Sequence, residues 1–442
     1  MNHKIFMISL GCEKNKVDAE IMLFKIKEAG YEIVLKPELA DAVIINTCGF
    51  IEAAKEEAIE EIFNIVRLKQ QGKVKYILVS GCLAERYKDE ILKEIPEVDA
   101  VLGIGSNSFI LEILSQVFKN KKVESFGEKI CLPLSGKRIR STPKHYAYLK
   151  IAEGCNNKCT FCAIPIIRGQ YRSRKMEDII LEARDMAKSG VKELILIAQD
   201  TTRYGEDIYD KLMLPELLKE LLKIDEIKWI RILYCYPDRI TDELIDLIAR
   251  EDRILNYIDL PLQHCNGKIL KSMNRSGNKD TLLKLLNKIK TRIPDVVLRS
   301  TFIVGFPGET EDDFNELCEY LDEVKFDRVG SFTYSPEEGT KAFDFKDQID
   351  DFVKNKRQDI LMRQQNLIND KKNKSKIGQV IEVIIDGFDE NTESFFGRSR
   401  ADAPDVDGRV YIYDKSKSFN IGDIIKVKVK DFIDYDLVGE VL

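Results

Sequence analysis

The chain has 442 residues, 44% of them hydrophobic, and a formal net charge of −6. That length accommodates about three domains with ordinary cores, and no apolar run approaches the roughly 18 residues that span a bilayer. A charge so near balance does not mark the whole chain as a nucleic-acid binder. The N-terminus leads straight into a short strand-like segment, without the long apolar stretch of a signal peptide, so the cytoplasm is the expected compartment. There, ten cysteines point to metal or redox chemistry rather than disulfides.

Residues 1–118 alternate short apolar runs with helical patterns, which predicts a parallel sheet with helices on both faces. Ile5–Leu10, Ala42–Asn46 and Tyr76–Ser80 read as buried strands, and Ile51–Lys69 as a helix. A cysteine follows each strand: Cys12, Cys48 and Cys82. Strand carboxyl ends form the binding crevice of an open parallel sheet, so three strands would deliver three thiols to one edge. Free cysteine is often no more than a small buried hydrophobe. Here each stands beside a glycine (Gly11, Gly49, Gly81) at a strand end, and a metal-cluster site is the favoured reading. Residues 119–144 then carry eight Lys/Arg against two Glu and read as an exposed basic linker.

Tyr146–Ala152 reads as the next strand, and Cys155, Cys159 and Cys162 follow it at C-x3-C-x2-C spacing. Three thiolates on one loop can hold three irons of a 4Fe–4S cube and leave the fourth without a protein ligand. Such an open iron is a reaction site. Zinc is the competing reading, but structural zinc wants four ligands in paired spacings, and none of the three histidines (His3, His145, His264) supplies one. Strands are predicted at 146–152, 193–199, 229–236, 257–262, 296–304 and 328–334, with helices such as Met176–Lys188 and Thr241–Arg250 between them. Six βα units predict a (β/α)6 partial barrel with its chemistry at the strand carboxyl ends.

An open iron needs a ligand. S-adenosylmethionine can chelate it through amino and carboxylate groups, and one electron from the cluster then yields a 5′-deoxyadenosyl radical. The cofactor carries that chemistry and the protein positions it, so no side-chain acid or base is assigned as catalytic. Gln199 and Asp200 follow the second predicted strand, and Gly305, Gly308 and Glu309 follow the fifth. Both strand ends are candidate cofactor cradles, although the glycine turn also fits an ordinary βα turn. Arg168, Arg172 and Arg174 read equally as contacts for a substrate carboxylate or as solvated surface charges. Asp259, Gln263 and His264 fit pocket residues or buried polar groups. Cys131, Cys235, Cys265 and Cys318 lack metal spacing and read as plain thiols.

A charged helix over Ile349–Lys374 leads into a strand-rich end with runs at Gln379–Ile385, Arg409–Tyr413 and Ile424–Val429. Turn signals at Asp407-Gly408 and Ile421-Gly422-Asp423 complete the pattern of a small antiparallel β-barrel in the style of oligonucleotide-binding modules. Over 376–442, nine Lys/Arg, Lys415 and Lys417 among them, face fourteen Asp/Glu, a net of −5. A module that neutralises phosphates would not be net acidic without a segregated basic face. A basic partner suits it better, and direct RNA binding is the weaker reading.

These residues resemble a known family. Cys155, Cys159 and Cys162 look like the radical S-adenosylmethionine motif, Cys12, Cys48 and Cys82 resemble the N-terminal cysteines of the methylthiotransferases, and the last segment resembles their TRAM domain. The words Ser9-Leu10-Gly11-Cys12-Glu13-Lys14-Asn15, Asn46-Thr47-Cys48-Gly49-Phe50-Ile51 and Cys162-Ala163-Ile164-Pro165-Ile166-Ile167-Arg168-Gly169 are similar to the branch acting on a ribosomal-protein aspartate. So are Gln199-Asp200-Thr201-Thr202-Arg203-Tyr204-Gly205 and Asp402-Ala403-Pro404-Asp405-Val406-Asp407-Gly408. Glu13 departs from the proline common there.

The resemblance implies an α/β enzyme with a methylthiotransferase domain at 1–118, a linker at 119–144, a radical S-adenosylmethionine core at 145–374 and a TRAM domain at 375–442. It implies two 4Fe–4S clusters, one held by Cys12, Cys48 and Cys82 and the other by Cys155, Cys159 and Cys162. The implied reaction is methylthiolation of an aspartate β-carbon in small-subunit ribosomal protein S-twelve, with an electron donor and a sulfur donor as further partners. The alternative within the family is a tRNA adenosine methylthiotransferase.

Overall fold

The structure, a computed structural model, describes residues 3–413 and 419–442. Lys415 and Lys417 of the charge count lie outside the described residues. Contacts divide the chain into two compact units that do not follow chain order. One joins Met1–Ser141, Ala152–Arg174 and Glu337–Thr340; the other joins Thr142–Ile151, Lys175–Pro336 and Lys341–Leu442. The loop bearing Cys155, Cys159 and Cys162 therefore shares a unit with Cys12, Cys48 and Cys82.

In the first unit, β1 (Lys4–Ser9), β2 (Glu32–Ile33), β3 (Ala42–Thr47), β4 (Tyr76–Gly81), β5 (Ala100–Leu102) and β6 (Val123–Ser125) form a wholly parallel sheet in the order β2-β1-β3-β4-β5-β6. The helices are α1 (Glu13–Glu28), α2 (Glu52–Gln70), α3 (Cys82–Arg86), α4 (Lys88–Glu94) and α5 (Ile110–Val117). Alternate side chains of a strand face opposite sides. Val43, Ile45, Ile77 and Val79 accordingly pack with Ala58 and Ile62 of α2, while Ala42, Ile44 and Leu78 pack with Ile26 of α1 and Ile113 of α5. Burying each such aliphatic chain contributes roughly 1.5–3 kcal/mol, and the two cores make the central strands rigid.

The stretch expected as an exposed linker is built into this unit instead. β6 adds a sixth strand beside β5, and the buried Glu20 of α1 accepts from Arg138 Nη1 at 2.5 Å and from the Ser141 backbone N–H at 2.6 Å. Arg138 is thus paired inward, while Lys119, Lys121, Lys122, Lys137 and Lys144 stay exposed, a division that a count of charges along the sequence does not reveal.

In the second unit, β7 (Tyr146–Lys150) opens the central sheet. The short strands β8 (Ala152–Glu153) and β9 (Arg172–Ser173), with α6 (Ile164–Arg168) between them, belong to the first unit. The sheet continues with β10 (Glu193–Ile197), β11 (Trp229–Ile232), β12 (Ile254–Asp259), β13 (Val297–Val304) and β14 (Arg328–Thr333), all parallel, in sequential order from β7 to β14. This is the predicted six-stranded βα array. Its fourth strand lies at 254–259 rather than 257–262, because Pro261 has no N–H to give a ladder.

The helix Asp351–Lys376 leads to β15 (Val380–Asp389), β16 (Ser394–Ser399), β17 (Val410–Ile412), β18 (Ile424–Ile433) and β19 (Asp436–Val441), which close into a barrel around Val383, Ile385, Val427 and Val429. The pairings are antiparallel except β17 with β19. The sequence pattern did not announce β16 and β19, each with a glycine inside the strand.

The Asp402–Gly408 word also finds its place here. Asp402 pairs with Arg328 of β14 at 2.5 Å, and Asp407 accepts from Tyr257 of β12 at 2.6 Å. Arg398 joins Glu193 of β10 at 2.6 Å and also pairs with Asp386. Part of the barrel's acidic count is thus spent inside the same unit, where a partner does not meet it. Among the described residues no helix is long and apolar enough to cross a membrane.

Candidate functional site

The three strand cysteines stand at the carboxyl ends of β1, β3 and β4, which are neighbours in the sheet. Polar side chains stitch these ends together. Asn15 Nδ2 donates to Leu10 O at 2.8 Å and Thr47 O at 3.2 Å, and Asn46 Nδ2 returns a bond to Asn15 O at 2.9 Å. Thr47 Oγ1 donates to Ser80 O at 2.5 Å. The neighbouring glycines permit the approach. A Cβ on Gly11, where φ is +81°, would lie 2.6 Å from Cys48 Cβ. One on Gly49 would lie 2.7 Å from Leu83 Cα.

The thiols interact. Burial, with the neighbouring Cys12, raises the Cys48 pKa above its ordinary value. Burial outweighs the nearby Arg168 guanidinium and pushes the Cys82 thiol up to about 12. A free thiol there is protonated at neutral pH, so a thiolate at Cys82 needs a cation such as a metal to hold it.

The second triad sits on a loop between β8 and α6. Cys155 N–H donates to Gly169 O at 3.2 Å, closing the loop's base, and Cys162 N–H donates to Cys159 O at 3.1 Å. Lys158 takes a left-handed φ of +51°, which curls the chain between Cys155 and Cys159. All three cysteines are partly exposed, and neither triad is joined by disulfides.

Arg168 is not the surface or substrate-binding charge that its sequence position left open. It is fully buried, with Nη1 2.9 Å from both Asp18 Oδ2 and Glu153 Oε2 and Nη2 3.7 Å from Cys82 Sγ. Its N–H groups already face Asp18, Glu153, Asn15 and Cys82, so it is closed to a substrate carboxylate. Arg172 donates to the carbonyls of Ile130 and Lys129, and Arg174 to Ser135 Oγ; both tie the loop to the 129–135 segment. Asp18 and Glu153 have no role in the sequence reading, and Asn15 and Asn46 are named there only as members of the cysteine words. Their one visible signal is the polar residues flanking each cysteine word.

In the second unit, the proposed cradle residues follow β10 and β13 at the carboxyl edge of one sheet. The buried Asp200 accepts from Thr202 Oγ1 at 2.7 Å and from Arg203 N at 3.2 Å, and Arg239 lies 3.3 Å from its other oxygen. Glu309 Oε2 accepts from Gly305 N at 2.9 Å and Phe306 N at 3.3 Å, while Arg357 holds Oε1 at 2.9 Å. Glu309 thereby shapes the glycine turn. Asp259 accepts from Tyr234 N and pairs with Arg299, and His264 is wholly buried. Cys235 and Cys265 are buried as well, whereas Cys131 is exposed.

Among the described residues no three His, Cys, Asp or Glu side chains converge on a single metal-ion position. A cube binds each thiolate to a different iron, so convergence on one point is not what it needs. Three soft thiol donors per site, with backbone kept bare by glycine, fit such a cluster.

Comparison with known proteins agrees with this geometry. The Radical SAM superfamily model matches residues 149–321, the TRAM domain model 377–442, and the model of an uncharacterized protein family, UPF0004, residues 4–103. The ribosomal protein uS12 methylthiotransferase RimO of Thermoanaerobacter sp. is 52% identical over 435 residues, covering 98% of this chain and 99% of the relative. The protein of the same name from Clostridioides difficile is 48% identical over 440 residues, 99% of each.

Among solved structures, the radical S-adenosylmethionine methyltransferase TsrM from Kitasatospora setae, with cobalamin and a [4Fe-4S] cluster bound, aligns with TM-score 0.58 at 11% identity, covering 77% of both chains. The cobalamin-dependent S-adenosylmethionine radical enzyme OxsB aligns with TM-score 0.52 at 11% identity, over 83% of this chain and 56% of that one. At such identities the likeness is one of fold. The fold is that of the radical S-adenosylmethionine enzymes. The chain belongs to the ribosomal protein uS12 methylthiotransferase (RimO) family.

Proposed function

We propose that this chain is a methylthiotransferase that adds a methylthio group to the β-carbon of an aspartate in ribosomal protein uS12, in the cytoplasm. The observation that carries the reading is the near full-length identity to proteins named for that reaction. It joins a chain in which two cysteine triads share one compact unit. Cys155, Cys159 and Cys162 would hold one 4Fe–4S cluster and Cys12, Cys48 and Cys82 the other. When bound, these clusters and S-adenosylmethionine supply the one-electron cleavage, hydrogen abstraction and sulfur transfer.

The chain's own residues bind and orient. Gln199, Asp200, Gly305 and Gly308 are assigned to S-adenosylmethionine, with Glu309 holding the turn open through its bonds to Gly305 and Phe306. Buried Cys82 excludes water from one side of its site. Turnover consumes an electron donor and a sulfur donor. The relatives' names favour the ribosomal protein over tRNA adenosine as substrate.

Mass spectrometry of ribosomal proteins and tRNA from a strain lacking this chain tests the reading. The uS12 aspartate should lose its methylthio mark while tRNA keeps its own. Loss confined to tRNA contradicts the proposal.

A further inference from the structure

Arg168 belongs by sequence to the loop triad and by contact to the strand triad. It ends α6, just downstream of Cys162, and its side chain is 1% exposed. Nη1 bridges Asp18 of α1 and Glu153 of β8, both at 2.9 Å. Nη2 points to Asn15 Oδ1 at 3.4 Å and Cys82 Sγ at 3.7 Å. Glu153 is itself fixed, since its Oε1 accepts from Gly154 N at 3.0 Å, one residue before Cys155. A single buried guanidinium thus joins the element that opens the loop triad to a sulfur of the strand triad, all inside one compact unit.

The choice of arginine is chemical. A guanidinium offers five N–H donors in a flat fork, whereas an ammonium is a point charge. Here one guanidinium nitrogen serves both carboxylates while the other presents an N–H to the sulfur, and a lysine, with a single nitrogen, cannot occupy both places. Hydrogen bonds to the sulfurs and nearby charge set the reduction potential of an iron–sulfur cluster. The positive group beside Cys82 also lies within electrostatic reach of Cys12 and Cys48.

We propose that Arg168 is a positioning residue, carried by the loop triad's own element, that donates an N–H···S bond to Cys82 and raises the reduction potential of the cluster at Cys12, Cys48 and Cys82. This rests on reading the triads as cluster sites. Through Arg168 the loop that carries one cluster tunes the other.

The test uses full-length protein carrying C155A, C159A and C162A, reconstituted with iron and sulfide so that only the strand triad is loaded. Potentiometric titration followed by electron paramagnetic resonance is then compared with and without Arg168→Lys. The lysine keeps the charge between Asp18 and Glu153, so iron content and the melting temperature of the metal-free protein should match the parent. Without the N–H···S bond, the reduced-to-oxidised ratio at fixed potential should fall by about tenfold or more, equivalent to ~59 mV for one electron.

Arg168→Met should move it further in the same direction; if that variant does not fold, the lysine variant decides. A folded lysine variant that no longer retains iron also assigns Arg168 to the site. Parent iron content with an unchanged potential overturns the proposal, as does unfolding of the lysine variant. If the triple-alanine background binds no iron at all, the cluster reading itself has failed, and the iron analysis shows that separately from any shift in potential.

Discussion

The two cysteine triads bring three thiols together by opposite routes. Cys155, Cys159 and Cys162 come from one short loop whose shape is set by local backbone bonds, from Cys155 to Gly169 and from Cys162 to Cys159. Cys12, Cys48 and Cys82 come from three strand ends that only the completed sheet brings side by side. The loop triad can form wherever its loop closes. The strand triad exists only when the N-terminal sheet is folded, and its sulfurs inherit the rigidity of two flanking cores. A loop would suit the proposed role of admitting a ligand at an open iron. A sheet edge would suit the proposed role of holding a second cluster still.

The largest expected effect separates the two by product. Alanine at Cys155, Cys159 or Cys162 should abolish 5′-deoxyadenosine formation and methylthiolation together. Alanine at Cys12, Cys48 or Cys82 should leave 5′-deoxyadenosine formation intact and abolish methylthiolation. Chromatography of the reaction mixture reads both, and equal loss of both products in the two sets of variants would erase the distinction.

A substitution in the second unit controls for simple loss of stability. Arg398 and Arg231 both pair with the buried Glu193, and although burial opposes ionisation, these arginines hold the Glu193 carboxyl below its ordinary pKa. Arg398→Ala leaves a buried charge half-compensated and should cost about 3–5 kcal/mol in denaturant unfolding, without changing iron content. A carboxylate with a depressed pKa stabilises the fold above its unfolded value and loses that contribution as pH falls through the folded one. The parent should therefore lose stability on acidification below about pH 4, and Arg398→Ala should lose less of it.

Gly49→Ala probes the strand triad by crowding alone. The added methyl meets the Leu83 backbone at 2.7 Å, so thermal unfolding of the metal-free protein should show a loss of roughly 1–3 kcal/mol. Iron at the strand triad should fall while iron at the loop triad stays. An unchanged melting temperature would mean that the strand ends can separate freely.

The smallest effect is in thiol chemistry. In metal-free protein, Cys82, buried and pushed up to about 12, should be the slowest strand cysteine to alkylate. Its rate should climb about tenfold per pH unit across the alkaline range, because the thiolate is the nucleophile. Peptide mapping after timed alkylation measures this, and a pH-independent rate would contradict the burial argument.

The same contrast explains what could be read beforehand. The loop triad stands out in the sequence because its three cysteines span eight residues from first to last, so the spacing alone suggests the chemistry proposed for it. The strand triad was legible only through a fold inference, from three apolar runs each ending in a cysteine beside glycine. The six central strands followed from periodicity, with one misplaced where Pro261 ends the ladder.

Long-range electrostatics stayed hidden. Arg168 looked like a surface or substrate charge because its partners Asp18 and Glu153 are fixed by tertiary packing, and nothing local marks them. The basic stretch 119–144 looked like a linker because β6 is three residues long and the partner of Arg138 is Glu20, far back in the chain. Asp402 and Asp407 entered a net charge when they are in fact paired within the fold.

The central claim is that the chain carries two separate clusters on two triads. It is tested most directly by counting iron and sulfide in reconstituted parent protein and in the two triple-alanine variants, one for each triad. The account predicts about eight irons per chain in the parent and about four in either variant, four per cube. About four irons in the parent, with all of them lost from one variant and none from the other, would contradict it.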